Sequence, residues 1–226
     1  MATETASDAG TDGRTARAAR TRDAVVEALL SLIDEGDVRP PARRVAERAG
    51  VSLRSVYVHF DDLEDLYCAA AKRQYRRISA LVVTLPTDGP LDARLRAFVD
   101  QRARVLEAGA PVRRAGLFHA VTSPTLARVM HVSRKAGRAE VEKVFGTELD
   151  TYARDATERR HLLAALTTAA SAATWETLRE HEQLGIDDAA AVMHDMLAAI
   201  LASRRPRTAA RRGGPRARAA PRRARG

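Results

Sequence analysis

Apolar residues recur along this chain at the three- and four-residue spacing of helix faces, and the breaks in that spacing divide it into elements. Val26, Leu29, Leu30 and Ile33 mark a first helix that begins at about Thr15 and is stopped by Gly36. Residues 38–41 form a connector, because Pro40 and Pro41 do not fit a helix interior. A short helix over 42–49 turns Val45 and Ala49 inward, Gly50 and Val51 make a turn, and 53–60 form the next helix. Leu63, Leu66, Tyr67, Ala70, Tyr75 and Ile78 trace a fourth from near Asp62 to about Leu81. Asp61, Asp62, Glu64 and Asp65 crowd its start, where carboxylates suit the helix dipole.

Beyond a loop at 86–90, Leu95, Phe98, Val99, Arg102 and Leu106 share one side of a helix over 91–108. Gly109 is expected to end it and Pro111 to open the next. Ser123-Pro124 reads as a cap and first-turn proline, starting a helix that runs to about Phe145 and breaks at Gly146. Two long helices follow, over 158–183 and 187–202. Both are apolar on two sides, through Leu162, Leu163, Leu166 and Leu178 in one and Val192, Met193, Met196, Leu197 and Ile200 in the other. A helix apolar on two sides must be covered on two sides. One side suits the chain's own core and the other a second subunit, which points to a homodimer. The pattern predicts an all-α protein with no internal repeat.

The stretch 46–60, AERAGVSLRSVYVHF, has the spacing of a helix-turn-helix. Ala46 is small where two helices cross. Gly50 suits a turn that needs positive φ. Ser52 is positioned to cap the second helix. Val56 and Phe60, four apart, hold that helix to its partners. Leu53, Arg54, Ser55, Tyr57, Val58 and His59 remain for partial packing and for a face that enters a DNA groove.

Composition narrows the classes. Ten Arg and no acid follow Ser203; setting those ten aside turns the formal net charge of +9 into −1, so the basic excess is one tail. The expected organisation is a disordered lead over 1–13, a helix-turn-helix domain over 14–61, a helical, dimerising domain over 62–203, and a disordered Arg-rich tail over 204–226. No apolar run approaches the ~18 residues of a membrane span, so no membrane partner is expected. The polar start lacks the apolar core of a signal peptide, which places the protein in the cytoplasm. Cys68 is the single cysteine and the six His are scattered, so neither a disulfide framework nor a metal site is read, and no cofactor.

Extended through Tyr67, the run AERAGVSLRSVYVHFDDLEDLY resembles the DNA-binding signature of the TetR family of transcriptional regulators. The matching pieces are Ala49-Gly50-Val51-Ser52, Tyr57-Val58-His59-Phe60 and Glu64-Asp65-Leu66. The upstream helix ending near Gly36 matches in place as well, so the signature covers about Arg22 to Tyr67, under a quarter of the chain. The remaining helical pattern is compatible with that family's variable ligand-binding half but carries no motif. The resemblance implies a dimeric, ligand-responsive regulator, most simply a repressor released by a small-molecule effector, with the last two helices of each subunit forming a four-helix interface. It also implies phosphate contacts from Tyr57 and His59.

Three departures stand out: Arg54 where the family has a small residue, Leu63 where it often has a phosphate-binding Lys, and the Arg39-Pro40-Pro41 connector. Arg54 is the candidate base reader, since a guanidinium can bind guanine O6 and N7 together. Arg43 and Arg44 open the preceding helix, where one of them would face a phosphate. The expected DNA-binding set is therefore Arg43, Arg44, Ser52, Leu53, Arg54, Ser55, Tyr57 and His59.

For the effector, a pocket between helices is the default, with Phe98, Arg102, Phe118, His119, Met130, His131 and Trp175 as lining candidates. Aromatics and Met at helical spacing are more often plain core. An enzyme is disfavoured by the lack of a nucleophile–base motif, phosphate loop or metal spacing. The remaining alternative is a basic-tailed architectural nucleic-acid-binding protein whose helical half only dimerises.

Overall fold

The structure, a computed structural model, describes the backbone of residues 6–120 and 123–204 and the side chains of 13–116 and 123–204. All regular structure among them is helical, in ten helices: α1 (Ala6–Asp34), α2 (Ala42–Ala49), α3 (Leu53–His59), α4 (Leu63–Ser79), α5 (Leu91–Ala120), α6 (Pro124–Val144), α7 (Gly146–Tyr152), α8 (Ala156–Ala169), α9 (Ala172–Glu176) and α10 (Ile186–Arg204). A π-turn over Thr177–His181 continues α9.

Two hydrophobic cores organise them. The first gathers Val25, Leu29, Leu32 and Ile33 of α1, Val45 and Ala46 of α2, Val56 of α3, Phe60, and Leu66, Tyr67 and Ala70 of α4. It also takes in Ala115 of α5 and Leu126 of α6. The small head therefore does not close on itself at residue 61; it completes its core on α4 and on the body, as a unit of so few residues must. The second core joins α5 to α10 through Phe98, Val99, Val141, Phe145, Leu149, Leu163, Leu166, Trp175, Met193 and Leu197.

Several element limits differ from the sequence expectation. The polar lead expected to be unstructured to Gly13 is helical from Ala6, continuous with α1. Once α1 is nucleated, each further residue adds a hydrogen bond at little cost. The expected break at Gly109 does not occur, and Pro111 lies inside α5. A mid-helix proline removes one N–H and pushes on the carbonyl a turn earlier. Two side chains bond the carbonyls on either side of it: Arg113 Nη2 donates to Leu106 O at 2.9 Å and Gln74 Nε2, from α4, to Ala108 O at 2.7 Å. Gly109 lets the Arg113 side chain fold back, since a Cβ there would sit 2.6 Å from its Nη1.

Gly146 likewise redirects the chain instead of ending its helical run. Phe145 caps α6 and starts α7, and its carbonyl accepts from Leu149 N. The single helix expected over 158–183 is two, because Ser171 accepts from Thr174 N and the Thr174 hydroxyl donates to Thr168 O at 2.6 Å, opening a new helix in the Ala/Thr-rich stretch.

Ion pairs join the layers. Arg73 of α4 meets Asp23 and Glu27 of α1, and Arg77 meets Glu27 at 2.6 Å. Inside the body Arg94 of α5 and Glu148 of α7, only 4% and 5% exposed, form a two-pronged pair. No helix among the described residues is long and apolar enough to cross a membrane.

Candidate nucleic-acid interface

The helix-turn-helix is built by local chemistry. Gly50 closes α2 at φ 68, its N–H reaching Glu47 O while Val51 N reaches Ala46 O at 3.0 Å. That left-handed closure suits glycine. Pro41 immediately precedes α2, so the proline connector sets the helix start at Ala42. Ser52 then caps α3, its Oγ accepting from Ser55 N at 3.1 Å, which leaves the hydroxyl hydrogen free to donate. Asp62 caps α4 in the same way, accepting from Asp65 N at 2.8 Å.

With Val56 and Phe60 buried, the opposite side of α3 is committed to solvent. Leu53, Arg54, Tyr57 and Val58 are exposed, Val58 by 69% and Tyr57 by 51%, while Ser55 and His59 are half-buried. Two apolar residues and a tyrosine held out in water on a seven-residue helix are costly unless a surface covers them. Arg54 has no carboxylate within ion-pair distance among the described residues, so its guanidinium is uncommitted. The cations of α2 are committed: Arg43 pairs with Glu47 at 3.0 Å and Arg44 with Asp37 at 2.7 Å.

α2 is latched to α1 by Arg48, which donates to Ser31 Oγ at 2.8 Å and to Glu35 at 2.7 Å. The Arg48 guanidinium holds the Glu35 carboxyl down at about 2. Arg22 of α1 lies over the Phe60 ring at 4.5 Å, a further tie between α1 and the end of α3. Leu63, in place of a phosphate-binding lysine, is half-buried and packs against the first core. The sequence reading missed a groove of about 220 Å³ between α1 and α4 beside this head, lined by Arg22, Asp23, Val26, Asp65, Lys72 and Arg76 among others. Its residues lie some fifty positions apart, so no local pattern announces it.

The effector candidates scatter. Phe98 and Trp175 are in the second core, Phe98 edge-on to Phe145 at 5.2 Å between centroids. The Trp175 indole donates to Glu107 at 2.8 Å, and Arg179 reaches the same carboxylate. Burial works to raise the Glu107 carboxyl, but hydrogen bonds from Arg179 and Trp175 hold it below its ordinary range. Arg102 is buried beside Phe98, its guanidinium 5.0 Å from that ring, and pairs with Glu140 at 2.9 Å. Met130 is half-buried with its sulfur near Gly116, and His131 is exposed on α6. The side chains of Phe118 and His119 lie outside the described residues. The structure thus brings Phe98 and Arg102 together and leaves His131 apart. Gln101 and Glu140, which touch this group, were missed. The available signal was polar residues on the inward side of α5: Arg94, Gln101 and Arg102 keep step with Phe98.

The architecture defines a class: an all-helical protein presenting a helix-turn-helix head on a larger helical body. More particularly, it has the fold of TetR-family transcriptional regulators. A TetR-family transcriptional regulator from Streptomyces coelicolor superposes with TM-score 0.62 at 22% identity, over 81% of this chain and 82% of that one. A transcriptional regulator from Rhodococcus sp. RHA1 gives 0.62 at 19%, over 80% and 96%. A TetR-family regulator from Mesorhizobium loti gives 0.58 at 17%, over 83% and 98%. At these identities the likeness is one of fold. No family model matches the chain, and no curated protein matches it in sequence.

Proposed function

We propose that this chain is a ligand-responsive, DNA-binding transcriptional regulator, a repressor that binds a palindromic operator as a homodimer in the cytoplasm and is released by a small-molecule effector. The observation that carries the reading is the face of α3. Its inward residues are spent on the core, its outward ones are apolar or uncommitted, and it sits directly after a tight turn on a helix pair. In such heads the second helix enters the major groove, and a dimer sets two of them roughly 34–36 Å apart.

Tyr57, His59 and the Ser52 hydroxyl are the phosphate donors and Arg54 the base reader, with Leu53 and Ser55 beside them. Arg43 and Arg44 contribute to phosphates only by exchanging their carboxylate partners. The second subunit covers the outer sides of α8 and α10, where Ala164, Ala165, Thr168, Met196 and Ala199 are exposed. The head occupies about residues 14–61 and the effector-binding and dimerising body 62–203. An effector releases DNA only if it binds the spacing that cannot span the grooves more tightly than the one that can.

The decisive experiment is selection of bound sequences from random duplex DNA, with the full chain and with a form ending at Arg204. The Arg-rich tail lies outside the described residues, and its expected role is non-specific attraction to DNA. A palindromic consensus recovered by both forms is the expected result. Recovery of no consensus by either form refutes the regulator reading and favours the architectural one.

A further inference from the structure

Arg102 is a buried cation in the middle of the body, and its surroundings have the form of a carboxylate clamp. Its guanidinium lies 5.0 Å from the Phe98 ring, donates through Nη2 to Gly137 O at 3.1 Å and forms an ion pair with Glu140 at 2.9 Å. Gly137 makes room for it: a Cβ there would lie 2.9 Å from Arg102 Nη1. The Arg102 side chain is 92% buried, yet its Nε–H has no partner among the described residues. The neighbouring Gln101, 1% exposed, donates its amide to the other oxygen of Glu140 and accepts from Val83 N at 2.7 Å. One carboxylate is thus gripped by two adjacent α5 side chains, with one donor left over. That carboxylate comes from the more exposed end of the pair, since the Glu140 side chain is 23% accessible on α6.

We propose that the effector is a small carboxylic acid with an apolar body, whose carboxylate takes Glu140's place on Arg102 and Gln101. The inference rests on the reading of the body as an effector-binding half. The exchange is electrostatically balanced. Leaving a buried guanidinium unpaired is strongly unfavourable, whereas replacing one carboxylate by another keeps the site neutral while Glu140 turns to water. An incoming acid can also meet the vacant Nε–H and present two oxygens to the planar fork of the guanidinium, the geometry in which Arg binds carboxylates best. Phe98 and the edge-on Phe145 are the apolar side chains beside the clamp; both are fully buried, so the rest of the molecule enters by repacking against them. A neutral amide of the same shape can accept from the guanidinium but brings no counter-charge, and a cation is repelled. Because Gln101 also holds the Val83 amide, occupancy of the clamp is felt in the connector that follows α4.

The test is calorimetric titration of the full chain with benzoate and hexanoate, each beside its primary amide, in wild type, Glu140→Gln and Arg102→Met. In Glu140→Gln the competing charge is gone, and at least one acid is expected to bind about tenfold or more tightly than its amide, a difference of about 1.4 kcal/mol. Wild type should show the same preference more weakly, and Arg102→Met should abolish it. Acid and amide binding within about twofold of each other on Glu140→Gln overturns the proposal, as does an acid preference that survives Arg102→Met. Should Arg102→Met fail to fold, the ¹⁵N resonance of Arg102 Nε in Glu140→Gln replaces it: the resonance moves on adding the acid if the clamp exists, and a fixed resonance overturns it. No DNA enters these measurements, so their failure and the failure to select an operator are separate results.

Discussion

Removing the carboxylate of Glu148 is expected to cost the body about 3–5 kcal/mol, the penalty for stranding one member of a buried ion pair. The contacts explain why the upper part of the usual mutational range applies. Arg94 Nη1 divides between Val144 O at 2.8 Å and Glu148 Oε2 at 2.9 Å, Nη2 is given to Glu148 Oε1, and Nε reaches Gly89 O only at 3.3 Å. In Glu148→Ala, Nη2 loses its carboxylate in a place that water does not reach, and the guanidinium loses its counter-charge. The hydrogen bond that Arg94 donates to Glu148 is what lifts its guanidinium above its ordinary value against burial. The assay is thermal and urea unfolding at fixed protein concentration, since the proposed dimer would make stability concentration-dependent. For a chain of this size the shift is roughly 6–20 °C in Tm, taking about 2–4 °C per kcal/mol.

The exposed pair Arg96–Asp92 is the internal control. Asp92→Ala should stay within about 1 kcal/mol, because water screens both groups. The double variant Arg94→Met/Glu148→Leu should regain most of what Glu148→Ala loses, because it removes both charges and fills the space. A Glu148→Ala loss no larger than that of Asp92→Ala would refute the reasoning, as would a double variant no more stable than the single.

Other outcomes are equally specific. Arg54→Ala should weaken operator binding by about 1–3 kcal/mol and relax the selected consensus at one position, whereas Tyr57→Phe should weaken all sequences alike; gel-shift titrations against the consensus and its single-base variants decide between these. Gly50→Ala should cost about 1–2 kcal/mol in urea unfolding through backbone strain alone, because φ is 68 and nothing lies within 4 Å of the added Cβ; a neutral result would mean that the turn is not left-handed. Stability should hold above about pH 5 and fall as pH drops towards 2. Glu35, held by Arg48, and Glu158, held by Arg154, titrate at about 2 when folded against 4.5 for the ordinary group, so the stability they add is complete above the unfolded value and is lost as acid protonates them in the fold. Acid unfolding of Glu35→Gln/Glu158→Gln should be flatter between those limits, and an unchanged profile would remove these carboxylates as the cause.

The part of this molecule that could be read without coordinates is the part whose physics is local. The turn at Gly50, the caps at Ser52 and Ser123, and the burial of Val56 and Phe60 each depend on residues within four positions, and the structure has them as the spacing predicts. The apolar spacing also decided that the helices would be many, and the composition that the chain before its Arg-rich tail would be near neutral. Tertiary structure decided what distant partners control. Pro111 lies inside α5, in a stretch where Gln74 of α4, 34 residues from Ala108 in sequence, bonds the Ala108 carbonyl. Arg94 and Glu148, 54 apart, become a buried pair, and Gln101, Arg102 and Glu140 become a clamp. Each of these side chains by itself reads as an ordinary polar residue on a helix, for the energy of a buried charge is set by what lies opposite it, and only the fold chooses that neighbour.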